Sequence, residues 1–236
     1  MTPALIAPTP VESKGIRRYI RPAPGDEIKT ISKGEIEGSS VIFTHCGVGK
    51  VNAAHSATVI LEKSEVDVLI LFGIGGAYPG TGLKTGDIAV AQSENYGEEG
   101  VWTKEGWNPI ESTGFPLLRN EREYYNTFPL DTNLAKIAIK ASEDCGFDTE
   151  QGNFITVSQC SGTHESGELI GWRFNGLCEN MEGAAVAHIC AMYSVPMVEV
   201  RGISNFIEDR DMKKWNIDLA AFNCNKVVME LVRRLK

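Results

Sequence analysis

"VDVLILFGIGGAYPGTG", Val66–Gly82, decides the fold class. From Val68 to Phe72 every residue is large and apolar, with no polar alternation. A strand that reads this way is buried on both faces, so it belongs at the centre of a sheet covered on both sides. Gly73, Gly75 and Gly76 follow at once. Glycines at a strand end serve either a tight turn or a backbone that approaches a ligand closely.

The flanking segments keep the same rhythm. "ALIA" (4–7) and "SVIFTHCG" (40–47) read as strands, and "VNAAHSATVILEK" (51–63) carries apolar residues at helical spacing. Downstream, "DIAVAQS" (87–93), "NFITVSQ" (153–159) and "PMVEVRGIS" (196–204) read as strands. Helices are predicted over 131–146, with Asp131 as N-cap and Gly146 as the stop, and over 167–174, 182–194 and 214–235. The stretch 94–130 is polar and broken by Gly and Pro, and reads as a long excursion. Strands that alternate with helices predict an α/β protein with a central mixed β-sheet flanked by helices. With no repeat or linker in view, the expectation is a single domain over 1–236.

Composition narrows the function. The chain has 236 residues, 42% hydrophobic content and a formal net charge of −8. That length buries a core without disulfide or metal staples. The acidic balance argues against a nucleic acid polymer or an anionic membrane as partner. Six cysteines and four histidines show no CxxC and no zinc spacing, so neither a metal nor a cofactor is expected. The N-terminus has no basic region followed by a long apolar core, and no apolar run is long enough to span a bilayer, so the expectation is a cytoplasmic protein.

Known nucleotide motifs do not fit. "CGVGKVNAA" (46–54) has Asn52 where a dinucleotide fingerprint needs its third glycine, and no P-loop pattern occurs. "GTHESGE" (162–168) reads as a loop. Two carboxylates stand out by position. Glu12 follows a Pro-Thr-Pro turn after the first strand, and Glu182 opens a helix in "ENMEGAA". A Glu at a helix start is ordinarily a dipole partner. Asn205 closes "VEVRGISN", where it either turns the chain or reads a ligand.

Four segments in order, "CGVGKVNAA", "VDVLILFGIGGAYPGTGLKTGDIAVAQ", "ENMEGAAVAHIC" and "VPMVEVRGISNFIEDRD", resemble the nucleoside phosphorylase/nucleosidase superfamily. The "APTPVE" start and "GISN" end look most like its hydrolases that release hypoxanthine. The resemblance implies a small-molecule nucleoside as partner and a homo-oligomer in which a neighbouring subunit closes the site. It also implies roles. Glu12 activates water, Glu182 holds the ribose hydroxyls and Met181 packs on the sugar. Ser204 and Asn205 meet the purine N7 edge, Gly75 and Gly76 floor the site, Val48 borders the sugar and Trp215 stacks near base or sugar. Trp102 and Trp107 are candidate contacts beyond the ribose.

The chemistry suits these residue types. Cleavage of an N-glycosidic bond leaves a cationic sugar and a purine anion. An Asn amide offers an oxygen to N7–H and an NH₂ to O6 of a 6-oxopurine, whereas a 6-amino group faces that NH₂ donor to donor. Phosphorolysis needs cations for phosphate. In the phosphorylases an Arg typically precedes the glycine segment; here Leu71 and Phe72 stand instead, which favours water as the nucleophile. Arg17, Arg18 and Arg21 lie near Glu12 in sequence and keep a phosphate site open, while Arg201 is expected to serve structure.

Overall fold

The computed structural model describes residues 1–21 and 31–236. In chain order the strands begin with β1 (Pro3–Ala7), β2 (Ile20–Arg21), β3 (Ser32–Ile36) and β4 (Ser39–His45). Helix α1 (Lys50–Lys63) leads to β5 (Val68–Ala77) and β6 (Ile88–Tyr96). The excursion holds short strands β7 (Gly100–Thr103), β8 (Gly106–Pro109), β9 (Leu118–Arg119), β10 (Glu123–Tyr124) and β11 (Thr127–Pro129). Then come α2 (Thr132–Asp144), β12 (Thr149–Thr156), α3 (His164–Phe174), β13 (Gly176–Asn180), α4 (Gly183–Tyr193), β14 (Met197–Phe206) and α5 (Ile217–Arg234).

The architecture is α/β around a large mixed sheet, as the sequence predicts. β5 is its axis: it pairs in parallel with β1 and β14 and antiparallel with β13. Residues Val68–Phe72 are all fully or almost fully buried, as an unbroken apolar run requires. β6, β12, β13, β5 and β14 are each paired with the next, and β14 pairs back to β6. Five strands therefore close into a ring, and β1, β4, β3 and β2 extend the sheet from it. The ring closes because β14 bonds on both edges, to β5 and to β6.

Helix placement follows the apolar stripes. α5 buries Ala220, Cys224, Val227, Val228 and Leu231 in the core that also holds Phe72 and Val200. α4 buries Ala184, Ala185, Ala187 and Cys190, small residues that let it lie close against α1. Asp131 caps α2 as predicted: its Oδ1 accepts from the backbone N–H groups of Asn133 and Leu134, both at 2.9 Å.

Two readings are corrected. "GTHESGE" is not a loop but the start of α3, where Thr163 and Ser166 form a reciprocal capping box. β13 has no counterpart among the predicted strands; its "GLCEN" mixes polar and apolar residues because it faces a polar interior. β5 runs on through its glycines to Ala77, as a strand that ends in glycines implies, so of the two readings of Gly73, Gly75 and Gly76 the tight turn falls away. Gly47 and Gly49, with φ of 84° and 96°, do make the tight turn into α1.

Candidate functional site

A cavity of about 360 Å³ opens where β1, β5 and β14 end and where β13 gives way to α4. Its wall includes Glu12, Val48, Gly75, Gly76, Met181, Glu182, Ser204, Asn205 and Trp215, so these nine residues singled out from sequence reach one place. Trp102 and Trp107 do not line it, and neither do Arg17, Arg18 and Arg21. Leu71 and Phe72 lie fully buried under the floor.

The glycines of "FGIGG" have a steric cause. A Cβ on Gly73 would overlap Glu12 Oε1, and one on Gly75 would overlap Cys178 Sγ. Bare backbone there leaves room for a buried ionic cluster. Its centre is Arg201, 1% exposed. The guanidinium donates to Glu199 Oε1 at 2.8 Å, to Glu182 Oε2 at 3.3 Å and to the Ile74 carbonyl at 3.1 Å, and lies 3.9 Å from Glu12 Oε1. Burial opposes its charge, but the carboxylates of Glu199, Glu182 and Glu12 outweigh burial and push its pKa up.

Glu12 is held from several sides. It accepts from Thr9 Oγ1 at 2.7 Å and from the Ile74 N–H at 3.1 Å. Asn225 on α5 pins its loop, donating to the Glu12 carbonyl at 2.6 Å and accepting the Ile16 N–H at 3.0 Å. Burial raises the Glu12 pKa above its ordinary value; Arg201, Thr9 and the Ile74 N–H offset part of that rise. Glu182, at the start of α4, accepts the Gly49 N–H at 2.9 Å, which ties it to the turn carrying Val48.

At the far wall, β14 bulges between Ile203 and Asn205. A bulge re-aims side chains, and here both Ser204 and Asn205 line the cavity. Ser204 Oγ donates to Asn205 Oδ1 at 2.7 Å, and Asn205 Nδ2 donates to the Phe206 carbonyl at 3.0 Å. Asn205 is therefore a strand residue opposite Gly76 with a fixed amide, and the turn reading is ruled out.

Sequence reasoning gave no site role to several wall residues, among them Arg201, Glu179 and Arg210. Arg201 had been expected to serve structure alone, yet it lines the cavity between the two glutamates. Glu179, on the unpredicted β13, accepts from Ser161 N–H (2.9 Å), Ser161 Oγ (2.6 Å) and the Tyr78 hydroxyl (3.1 Å). Burial raises its pKa, against those hydrogen bonds. Arg210 stands at the mouth, its guanidinium 4.7 Å from the centre of the Trp215 ring. The exposed run "EDRDMKK" carries no periodicity that could have singled it out. Among the described residues no group of three or more His, Cys, Asp or Glu is arranged to hold a metal ion.

The sequence profile of the phosphorylase superfamily matches residues 4–234. The chain belongs to that superfamily. Among curated relatives, futalosine hydrolase of Thermus thermophilus is 31% identical over 229 residues, 97% of this chain and 94% of the relative. The 5'-methylthioadenosine/S-adenosylhomocysteine nucleosidase of Halalkalibacterium halodurans is 26% identical over 206 residues, 86% of this chain and 84% of the relative. Of solved structures, the 5'-methylthioadenosine/S-adenosylhomocysteine nucleosidase of Neisseria meningitidis, in complex with methylthio-immucillin-A, superposes with a TM-score of 0.84 at 24% identity, covering 99% of both chains. The fold of this phosphorylase-superfamily chain is thus that of the nucleosidases. No helix among its described residues is long and apolar enough to cross a membrane.

Proposed function

We propose that this chain hydrolyses the N-ribosidic bond of a 6-oxopurine nucleoside, and that its substrate is futalosine, from which it releases hypoxanthine. The observation that carries the reading is Asn205, 8% exposed and fixed in orientation at the end of a cavity that also holds Glu12 and Glu182. In this reading Asn205 Oδ1 takes up N7–H as the base departs, and its NH₂ meets O6. Glu182 accepts the ribose hydroxyls and favours the cationic sugar. Glu12 removes a proton from the attacking water, an effect worth about 10²–10⁴-fold. Met181 and Val48 pack on the sugar, Gly75 and Gly76 leave room for the water, and Ser204 orients Asn205. Arg201 is already engaged by carboxylates, which leaves it poorly suited to a phosphate dianion. That favours hydrolysis over phosphorolysis.

Futalosine carries an aromatic carboxylate beyond the ribose 5′ position. Arg210 stacked on Trp215 at the mouth supplies a cation and a flat apolar face for such a group. The resemblance to the superfamily also supports a homo-oligomer, with a second copy covering the mouth near the exposed Val48 and Val51. Chromatography of products from futalosine, inosine and methylthioadenosine, with and without phosphate, tests the assignment. Hypoxanthine from futalosine in phosphate-free buffer is expected. Faster release of adenine from methylthioadenosine, or strict dependence on phosphate, would sink it.

A further inference from the structure

Behind the cavity wall lie two carboxyl groups that do not line it. Glu94 on β6 and Glu199 on β14 are both 0% exposed, and their carboxyl groups converge on one point. They meet against the first residue of α4, where a Cβ on Gly183 would overlap Glu94 Oε1 and crowd Glu199 Oε2 at 2.5 Å. Two carboxylates cannot hydrogen-bond without a proton between them. Among the described residues no N–H or O–H group donates to the buried Glu199 Oε2, so a proton on Glu94 is what would satisfy it. Its Oε1 accepts from Arg201, which fixes Glu199 as the charged partner and leaves Glu94 as the acid.

Each member anchors a different side of the reaction site. Glu94 Oε1 accepts from Asn180 Nδ2 at 2.6 Å, and its Oε2 accepts from Thr156 Oγ1 at 2.7 Å. Asn180 Oδ1 in turn accepts the N–H groups of Glu182 (2.9 Å) and Gly183 (2.7 Å), and Thr156 Oγ1 accepts that of Ala184 (2.7 Å). Glu182 has no side-chain cap of its own, so these two residues satisfy the open N–H groups at the start of α4. Glu199, through Arg201, sets the guanidinium that reaches both Glu182 and Glu12.

We propose that Glu94 and Glu199 share one proton, held on Glu94, and act together as positioning residues: Glu94 fixes the backbone of Glu182 through Asn180 and Thr156, and Glu199 fixes its carboxylate through Arg201. The proton is what permits two buried acids to bridge these anchors. With both ionised, the repulsion between them would open the bridge. The other titratable groups facing the pair are Arg201, Glu182, Cys178, Tyr78 and Tyr96. Burial and the charge of Glu199 raise the Glu94 pKa well above the ordinary range, in keeping with a retained proton.

The inference rests on Glu12 and Glu182 being the groups that act on the nucleoside, so one arm of its test needs no substrate. Infrared spectra of the wild-type protein and of E94Q near neutral pH report the carbonyl stretch of a protonated, buried carboxylic acid. A band present in the wild type and lost in E94Q is expected; no lost band overturns the shared proton, whatever reaction the enzyme performs. The second arm compares two isosteric variants. E94Q still donates to Glu199 and keeps the charge against Arg201, whereas E199Q moves the charge to the far side of the pair. E199Q should lose about 10²-fold in kcat with a smaller change in KM, the scale of a misplaced reacting group, and E94Q should retain more of kcat than E199Q. Equal losses, or a more active E199Q, would overturn the assignment of the proton to Glu94.

Discussion

Glu12 shows how a residue's environment sets its chemistry. A carboxylate that must accept a proton from water works best when its pKa is raised toward the working pH. Burial raises that of Glu12, and Arg201 keeps the rise in check. As the proposed base Glu12 is active when ionised, so activity is expected to fall as pH drops through the raised value. The acid limb of kcat/KM is therefore expected above the ordinary carboxylate pKa of about 4.3, and E12Q should abolish turnover while leaving nucleoside binding measurable by calorimetry. In the proposed function Asn205 carries the base preference. N205D should shift kcat/KM from the 6-oxo toward the 6-amino nucleoside, because a protonated Asp can pair with an adenine edge that the Asn amide meets donor to donor; an unchanged ratio would mean that another group reads the base. In the same reading Arg210 meets the group at the 5′ end. R210A should raise KM for futalosine far more than for inosine, and equal effects on the two substrates would remove it from the recognition of the acidic tail.

At the scale of elements, glycines decide how closely strands and helices approach. Gly202 in β14 lies under α5, where an added Cβ would overlap the Ala220 carbonyl. G202A must push α5 outward. Because Asn225 on the same helix holds the Glu12 loop, the shift should reach the active site. A loss of about 1–3 kcal/mol in urea unfolding, the range for an overfilled core, should accompany a lower kcat; a stable but inactive variant, or the reverse, would uncouple helix packing from the loop. Much at this scale was legible beforehand. The apolar run of β5, the helical spacing of α1 and the Asp131 cap of α2 are local signals, and the elements form where those signals lie. β13 and the start of α3 were not legible. β13 is polar because it faces the buried charges, and α3 starts on a capping box whose residues also suit a loop.

For the whole molecule, closing five strands into a ring places Glu94, Glu199 and Arg201 in one low-dielectric interior. This arrangement makes stability depend on pH. The folded chain keeps the Glu94 proton, while the unfolded chain releases it near the ordinary carboxylate pKa. Above that pH unfolding liberates a proton, so wild-type stability falls as pH rises, until the folded group itself ionises. Relative to E94Q, which has no such proton, the wild type should lose about 1.4 kcal/mol per pH unit in that window. Urea unfolding of both proteins at several pH values measures it, and parallel pH dependences would show that Glu94 is ionised when folded.

The sequence alone determined the α/β class, the central strand and several residues of one cavity wall, because apolar periodicity, caps and ordered motifs are properties of neighbouring positions. It could not disclose that Arg201 sits between Glu12 and Glu182, that the β5 glycines make room for that cluster, or that Glu94 and Glu199 meet behind it. Those pairings join residues from β5, β6, β14, the loop after β1 and the start of α4. Only the closing of the sheet brings them within hydrogen-bond distance, and only burial makes their charges depend on one another.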